Sequence, residues 1–387
     1  MMRKALTGAY AAAEAMRQIN PDVVAAYPIT PQTPIMERFA YFVNNGLVDT
    51  ELIRVESEHS AMSAVVGASA AGSRAMTATS SVGLALMFEV VNAASGLRLP
   101  IVMNVVNRAL SAPINIHGDH SDSMACRDAG WIQIYSENAQ EVYEHTLLAI
   151  KLSEDHDILL PSMIMQDGFI TSHSVEPVDV LDDDVVKQFV GEFKPKHSLL
   201  FDENPITIGA LELYDYFFET KRQQEEAMNI VKQKYYHYAE ELSKLTGNKY
   251  PMVERYFLDD AEVAIVALNS AASTTKVVVD KLRAEGKKVG LLKIRLFRPF
   301  PYEEVVDALK NVKFIGVLDR SFSFGANAPL FGEIKNALYD LDNRPKVQSY
   351  IFGLGGRALY EKDIIRVFNQ LLEGNVSNEK RYLNLRE

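Results

Sequence analysis

The stretch VVAAYPITPQTP, residues 23–34, joins a short apolar run to a turn that contains three prolines. An apolar run of this length, bounded by turn residues, is typical of a buried strand. Pro28, Pro31 and Pro34 leave the turn little backbone freedom, and Thr33 stands where a helix cap is expected, directly before a proline that suits the first helical position. The stretch therefore predicts a strand, a rigid turn and a helix, in that order.

The same alternation of short apolar runs and helical segments continues on both sides of this stretch. Thr7 is placed to cap a helix that ends at Asn20-Pro21. Further along, we expect strands over 52–55, 75–79, 101–106 and 162–166, and helices over 58–71, 83–95 and 139–153, with irregular chain between 107 and 138. Strands separated by helices of this length predict a doubly wound parallel sheet.

A second block of alternating elements follows a long interruption. Its first part, 214–245, has the pattern of a long charged amphipathic helix, and strands are expected over 263–268, 289–294, 314–318 and 347–352. We therefore predict an α/β protein in three parts: a doubly wound domain over 1–172, an interdomain crossing with the long helix over 173–258, and a smaller α/β domain over 259–387.

Composition excludes several classes of function. The 387 residues include 40 Lys and Arg against 51 Asp and Glu, a net charge of −11, which argues against binding to a nucleic-acid backbone. The single cysteine, Cys126, cannot form an internal disulfide or hold an iron–sulfur cluster by itself. The N-terminus lacks a secretory signal, and the uncharged stretch 75–88 is too short and too polar to span a membrane. We expect a cytoplasmic protein.

Active sites of doubly wound sheets gather at the carboxyl ends of the strands, so the segments after the strands contain the candidate residues. Thr30 lies between two prolines that hold its hydroxyl still, although a rigid turn alone explains the prolines. Glu58 stands at a predicted helix start, where it either stabilises the helix terminus or, desolvated among apolar neighbours, shares a proton with a ligand nitrogen.

Arg108 follows the apolar strand 101–106, where its guanidinium offers a planar fork to a substrate carboxylate or forms a structural ion pair. The run HGDHSD, 117–122, contains metal-ligand residue types without the spacing of common zinc sites, so we favour loop ordering and predict no metal in this chain. Ser81, in TSSVG (79–83), is placed to face an anion at a helix start. The chain has no motif for holding a diphosphate.

Five motifs in order now resemble a known family. They are YPITP (27–31), ESEH (56–59), TATSSVG (77–83), NRALS (107–111) and GDHSD (118–122). They are similar to the α subunits of the 2-oxoacid:ferredoxin oxidoreductases, most closely those of the pyruvate-specific enzymes, and the similarity extends through 319–325 and 353–357. The resemblance implies a pyrimidine-binding thiamine diphosphate domain followed by a domain like the C-terminal domain of transketolase.

The resemblance also implies an activity shared among several chains. The family oxidatively decarboxylates a 2-oxoacid such as pyruvate, transfers the acyl group to coenzyme A, passes electrons to ferredoxin, and can run in reverse. The expected partners are β, γ and δ subunits, of which β binds the diphosphate and Mg²⁺, while [4Fe-4S] clusters lie on partner subunits. This division of the site agrees with the single cysteine and the missing diphosphate motif.

Residue roles follow from the same resemblance. Glu58 corresponds to the glutamate that contacts N1′ of the aminopyrimidine, and Thr30 and Arg108 correspond to the residues that hold the 2-oxoacid. The remaining cofactor contacts are expected from Pro28, Ile29 and Ser81. Three alternatives stay open: an α subunit specific for a branched-chain 2-oxoacid, 2-oxoglutarate or oxalate; a non-catalytic partner-binding scaffold; and a transketolase-like transferase without iron–sulfur partners.

Overall fold

A computed structural model describes residues 1–386, in which strands and helices alternate through two blocks. The first block contains β1 (Met2–Thr7), α1 (Gly8–Ile19), β2 (Val23–Ala26), α2 (Thr33–Asn44), β3 (Glu51–Arg54), α3 (Glu58–Ala70), β4 (Ala75–Thr79), α4 (Ser81–Leu86), α5 (Phe88–Gly96), β5 (Val102–Asn107), α6 (Ser121–Ala125), β6 (Ile132–Tyr135), α7 (Ala139–Glu154), β7 (Ser162–Asp167), β8 (Val175–Val180) and α8 (Asp183–Val190). The second contains α9 (Phe217–Thr246), β9 (Val253–Tyr256), β10 (Val263–Ala267), α10 (Ser270–Ala284), β11 (Val289–Ile294), β12 (Leu296–Arg298), α11 (Tyr302–Leu309), β13 (Phe314–Asp319), α12 (Pro329–Leu338), β14 (Lys346–Ile351), α13 (Glu361–Leu372) and β15 (Arg381–Tyr382).

A seven-stranded sheet forms the centre of the first block, in the order β12-β6-β7-β5-β4-β2-β3. Its strands are parallel except β12, which comes from the second block and pairs antiparallel with β6. Every residue of β4, β5 and β7 is buried, as expected for a parallel sheet covered on both faces. Because the strands are parallel, the carboxyl ends of β2, β3, β4, β5 and β7 lie along one edge.

The second block is built on a six-stranded sheet in the order β15-β14-β13-β10-β11-β9, in which only β9 is antiparallel to its neighbour. One buried apolar cluster contains Met103 and Trp131 from the first block together with Val266 and Phe297 from the second. The two blocks therefore share part of their core. This arrangement confirms the predicted α/β fold with a doubly wound sheet and a second, smaller sheet.

Local signals in the sequence explain where several helices begin and end. The Thr7 hydroxyl accepts a hydrogen bond from the Tyr10 amide and caps α1, as predicted, and Asn138 caps α7 in the same way. Gly247, with a positive φ of 79°, ends the long helix α9. Within the described residues, no helix is long and apolar enough to cross a membrane.

Three segments differ from the predictions. Residues 2–7 form a strand that pairs antiparallel with 175–180, part of the segment we expected to be a crossing. Residues 132–135 form β6 inside the segment expected to be irregular, and the helix expected over 83–95 begins at Ser81 and is interrupted at Met87. The strands owe their stability to partners distant in the chain, so their local sequence carries a weak signal.

Candidate active site

The turn after β2 holds Thr30 at the carboxyl edge of the large sheet. The backbone carbonyl of Ile29 accepts hydrogen bonds from the amides of Gln32 (2.7 Å) and Thr33 (3.1 Å), which closes the turn into the start of α2. Thr30 and Pro28 are exposed and Ile29 is half-buried. The Thr30 hydroxyl makes no hydrogen bond to another described residue, so the rigid turn presents a free hydroxyl.

Arg108 reaches from the end of β5 to this turn. Its Nη1 donates to the backbone carbonyl of Thr30 at 2.8 Å, and its Nε donates to the carbonyl of Asn115 at 2.9 Å. The residue is 5% exposed, and no carboxylate of residues 1–386 lies within ion-pair distance of it. Burial lowers the pKa of Arg108, and the charge of Asp122 opposes that effect. Within residues 1–386 the structure therefore shows no ion pair for this guanidinium.

Glu58 is the first residue of α3 but does not cap it. The cap is Ser57, whose hydroxyl accepts a hydrogen bond from the Ser60 amide at 3.2 Å. The Glu58 side chain is 8% exposed, and in the described chain it has neither a hydrogen-bond donor nor an ion-pair partner. A buried carboxylate without a donor is costly, so this position fits a ligand that supplies one.

Gly83, in α4, packs directly on the Glu58 side chain. A Cβ built at Gly83 would lie 2.8 Å from both Cγ and Oε1 of Glu58 and 2.7 Å from the hydroxyl oxygen of Thr79. The Thr79 hydroxyl is itself buried, and no described residue hydrogen-bonds to it. Only glycine permits this approach, and the contact leaves two polar groups side by side at the ends of β3 and β4.

Ser81 joins the ends of two central strands. Its hydroxyl donates to the carbonyl of Ala109 at 2.5 Å, and its amide donates to Oδ2 of Asp122 at 2.9 Å. Its φ of 50° lies in the left-handed region, which is uncommon for a residue other than glycine. Both donors of Ser81 are thus used within the protein, and its predicted contact with the cofactor stays a prediction.

The run 117–122 orders its own loop, in agreement with the interpretation we favoured. Oδ1 of Asp119 accepts from the Ser121 amide and hydroxyl, and its Oδ2 accepts from the Gly355 amide. Within residues 1–386, three acidic side chains do gather, but they surround the ammonium of Lys293; they are Glu137, Glu141 and Glu254. They form an ion-pair cluster between the two blocks.

Asp167, which the sequence analysis missed, joins the two blocks beside the site. It ends β7 and is 1% exposed, and it accepts hydrogen bonds from His120 (2.8 Å) and from the amide and hydroxyl of Ser270. It also forms an ion pair of 2.9 Å with Arg320, which directly follows β13. Burial raises the pKa of Asp167, but Arg320, His120 and Ser270 outweigh burial and hold the pKa well below its usual range. The only signal in the sequence was a carboxylate directly after an apolar strand.

Two protein families match the chain. One is described as "Pyruvate flavodoxin/ferredoxin oxidoreductase, thiamine diP-bdg" and matches residues 14–240; the other, "Pyruvate:ferredoxin oxidoreductase core domain II", matches residues 261–364. Among similar proteins, the pyruvate synthase subunit PorA of Thermotoga maritima is 59% identical over 386 residues, covering 100% of this chain and 98% of that protein. The ketoisovalerate oxidoreductase subunit VorA of Pyrococcus abyssi is 45% identical over 368 residues, covering 94% and 92%.

Two solved structures resemble the fold at low sequence identity. The 2-oxoglutarate:ferredoxin oxidoreductase of Magnetococcus marinus superposes with a TM-score of 0.73 at 19% identity over 96% of this chain, which spans 65% of that protein. A split-gene transketolase superposes with a TM-score of 0.58 at 13% identity, covering 96% of this chain and 99% of that one. Both similarities concern the fold alone.

Proposed function

The chain belongs to the pyruvate:ferredoxin oxidoreductase family, and from that membership we propose that it is the α subunit of a pyruvate synthase. The reaction would convert pyruvate and coenzyme A to acetyl-CoA and CO₂, with two electrons passed to ferredoxin, and would also run in reverse. The observation that carries the proposal is Arg108, a buried cation without a carboxylate partner that is fixed against the Thr30 turn. A guanidinium in that state fits a substrate carboxylate.

The residues of this chain fit one half of a thiamine diphosphate site. Within the part of the chain that the structure describes, the buried Glu58 carboxylate has no hydrogen-bond donor and the buried Thr79 hydroxyl beside it has no partner. An aminopyrimidine offers ring nitrogens to such groups, with Pro28, Ile29 and Ser81 as the further predicted contacts. The sequence has no motif for the diphosphate, which we assign, with Mg²⁺, to the β subunit. We propose the same division as before: this half-site within 1–172, and a transketolase C-terminal-like domain over 259–387.

Thiamine diphosphate, when bound, supplies a carbon nucleophile for the 2-oxo group and an acceptor for the electron pair that decarboxylation releases. Glu58 would share a proton with N1′ of the aminopyrimidine and so set its protonation state. Arg108 would pair with the substrate carboxylate, and the Thr30 hydroxyl would donate to a substrate oxygen. Electrons would leave through [4Fe-4S] clusters on partner subunits, since this chain has one cysteine.

A second candidate differs only in the 2-oxoacid. The VorA relative is 45% identical, within the 43% to 59% range of the PorA relatives, so overall similarity does not separate the two substrates. A branched-chain 2-oxoacid would need more apolar room beside the same Arg108 and Thr30. The two candidates therefore share their polar contacts and differ in the pocket for the side chain.

The test is anaerobic turnover by the complex reconstituted from this chain and its β, γ and δ partners. Reduction of methyl viologen is measured with coenzyme A and, separately, pyruvate, 2-oxoisovalerate, 2-oxoglutarate and oxalate. We expect the highest kcat/KM with pyruvate. A maximum with 2-oxoisovalerate selects the second candidate. Consumption of a 2-oxoacid when methyl viologen is left out, measured by assaying the acid itself, favours a transferase, and no turnover with any acid favours a scaffold.

A further inference from the structure

The Asp122 carboxylate lies where the ends of β4 and β5 meet. Its Oδ2 accepts hydrogen bonds from the backbone amides of Ser81 and Arg108, both at 2.9 Å. Its Oδ1 accepts from the side-chain amide of Asn107 at 2.8 Å and from the Ser123 amide at 2.7 Å. The residue is 1% exposed. One buried carboxylate therefore satisfies four N–H donors from three different segments.

These donors explain why the position needs a carboxylate. All four partners donate, so an amide in place of the carboxylate would turn an N–H group toward two of them. Ser81 and Arg108 follow their strands, where their amides have no partner in the sheet. Leaving such buried donors unpaired is costly. Among the side chains of residues 1–386, this carboxylate alone ties the Ser81 amide to the Arg108 amide.

The two segments tied by Asp122 carry the two halves of the proposed chemistry. Arg108 is fixed at its backbone by Asp122 and at its guanidinium by the carbonyls of Thr30 and Asn115. Ser81 begins α4, in which Gly83 packs against the Glu58 carboxylate. A shift of either segment would move a substrate contact relative to a cofactor contact.

We propose that Asp122 is a positioning residue that holds Arg108 in place for the carboxylate of the 2-oxoacid, while it fixes the segment that packs on Glu58. The inference rests on the proposed function, because it needs Arg108 to bind substrate. Asp122 itself does not touch the substrate. Asp122 binds the Arg108 backbone directly, whereas its effect on Glu58 passes through Ser81 and Gly83. Loss of the carboxylate therefore weakens binding of the 2-oxoacid more than it slows the chemical step.

The experiment uses the intact complex with three variants of this chain. Asp122→Asn removes the charge and one acceptor. The exchange variant Asn107→Asp/Asp122→Asn restores a carboxylate to the pair. The new amide oxygen accepts from Ser81 and Arg108, and its nitrogen donates to the new aspartate. Of the four original donors, the Ser123 amide alone then faces that nitrogen, and it is not part of the Ser81 or Arg108 contact. Asp128→Asn, an exposed acid six residues further on, is the matched control.

Two readouts separate positioning from a purely structural role. One is the dissociation constant of oxamate, a pyruvate analogue that does not react, and the other is the KM and kcat of pyruvate turnover. We expect Asp122→Asn to raise both the oxamate Kd and the pyruvate KM by about tenfold or more, with a smaller fall in kcat, because a charged hydrogen-bond acceptor is lost. The exchange variant should return both values to within about threefold of wild type, and Asp128→Asn should leave them unchanged.

Four results would overturn the inference. One is an unchanged oxamate Kd in Asp122→Asn. Another is a fall in kcat and thermal stability at constant KM, which marks a structural role. If Asp122→Asn does not assemble into the complex, the exchange variant tests the inference instead. Its KM for pyruvate within threefold of wild type supports the positioning role, and a KM tenfold or more above wild type rejects that role. A wild-type complex that turns over no 2-oxoacid rejects the proposed function and this inference together, whereas an active wild type with an unaffected Asp122→Asn rejects only the inference.

Discussion

Nη1 of Arg108 donates a hydrogen bond of 2.8 Å to the backbone carbonyl of Thr30, a residue 78 positions earlier in the chain. The contact joins the turn after β2 to the end of β5 across the strand between them. It fixes a charged group beside a free hydroxyl without neutralising the charge. This pair is the part of the site most directly suited to a 2-oxoacid.

Arg108→Lys should raise the KM for pyruvate by about 10- to 100-fold, because an ammonium cannot bind two carbonyls and a carboxylate in one plane. Steady-state kinetics of the reconstituted complex measure the change. Arg344→Lys, on the surface of the second block, is the control and should leave KM unaltered. A normal KM in Arg108→Lys would remove Arg108 from the substrate site.

Gly83→Ala should abolish most of the activity and leave the fold intact. The new methyl group would lie 2.8 Å from the Glu58 carboxylate oxygen, so the carboxylate must move away from its position. Gly67→Ala, in the same helix as Glu58, is the matched control: no atom lies within 4 Å of a Cβ there, and alanine should stabilise the helix by up to about 1 kcal/mol. Turnover and thermal unfolding of both variants check this, and equal activities would contradict the contact.

The KM for pyruvate should rise as the pH falls through about 6. Burial raises the pKa of Asp122 to about 6, although hydrogen bonds from Asn107, Arg108, Ser81 and Ser123 lower it. A proton on this carboxyl must point at an N–H donor, which loosens the Arg108 segment. Burial raises the pKa of Cys126 to about 12, so that neighbour stays neutral in this range.

Protonation of Asp122 has the opposite effect on stability: it weakens substrate binding but favours the folded chain. Because the pKa of Asp122 is higher in the folded than in the unfolded chain, its contribution to the free energy of unfolding falls as the pH rises from about 4 to 6.

The predicted pH dependence of KM is tested by measuring KM from pH 5 to 8 in wild type and in Asp122→Asn. The rise should be present only in wild type, and an identical rise in the variant would assign it to another group.

Asp167→Asn should destabilise the junction of the two blocks. The substitution leaves the Arg320 guanidinium, 2% exposed, without its carboxylate, and breaking a buried ion pair in this way costs about 3–5 kcal/mol. Thermal unfolding of the purified chain measures the effect, with the exposed Asp340→Asn as control. Equal unfolding temperatures of the two variants would show that Asp167 does not hold the blocks together.

The sequence predicts the parts of this molecule that depend on neighbours in the chain. The apolar run and prolines of 23–34, and the cap at Thr7, are local signals, and the structure has the strand, turn and helix they indicate. The pairing of β1 with β8 joins residues more than 160 positions apart, and no local pattern indicates it. Long-range pairing is decided by the packed fold rather than by propensity.

The candidate site shows the same limit. Thr30, Glu58 and Arg108 could be chosen because each follows an apolar strand, and parallel strands bring such positions to one edge. The residues that hold the site together could not be predicted in this way. Asp122 acts through backbone amides of two other segments, and Asp167 acts through residues of the second block. Hydrogen bonds to backbone amides leave no pattern in the sequence beyond the presence of a carboxylate.

Turnover by the Glu58→Gln complex tests the central claim, that this chain supplies the pyrimidine half of a thiamine diphosphate site through Glu58. Pyruvate- and coenzyme-A-dependent reduction of methyl viologen is measured for wild type, Glu58→Gln and the exposed Glu56→Gln as matched control. We predict that Glu58→Gln lowers kcat by about 100-fold or more, as expected for a lost proton-sharing group, and that Glu56→Gln retains wild-type activity. Undiminished turnover in Glu58→Gln would contradict the claim.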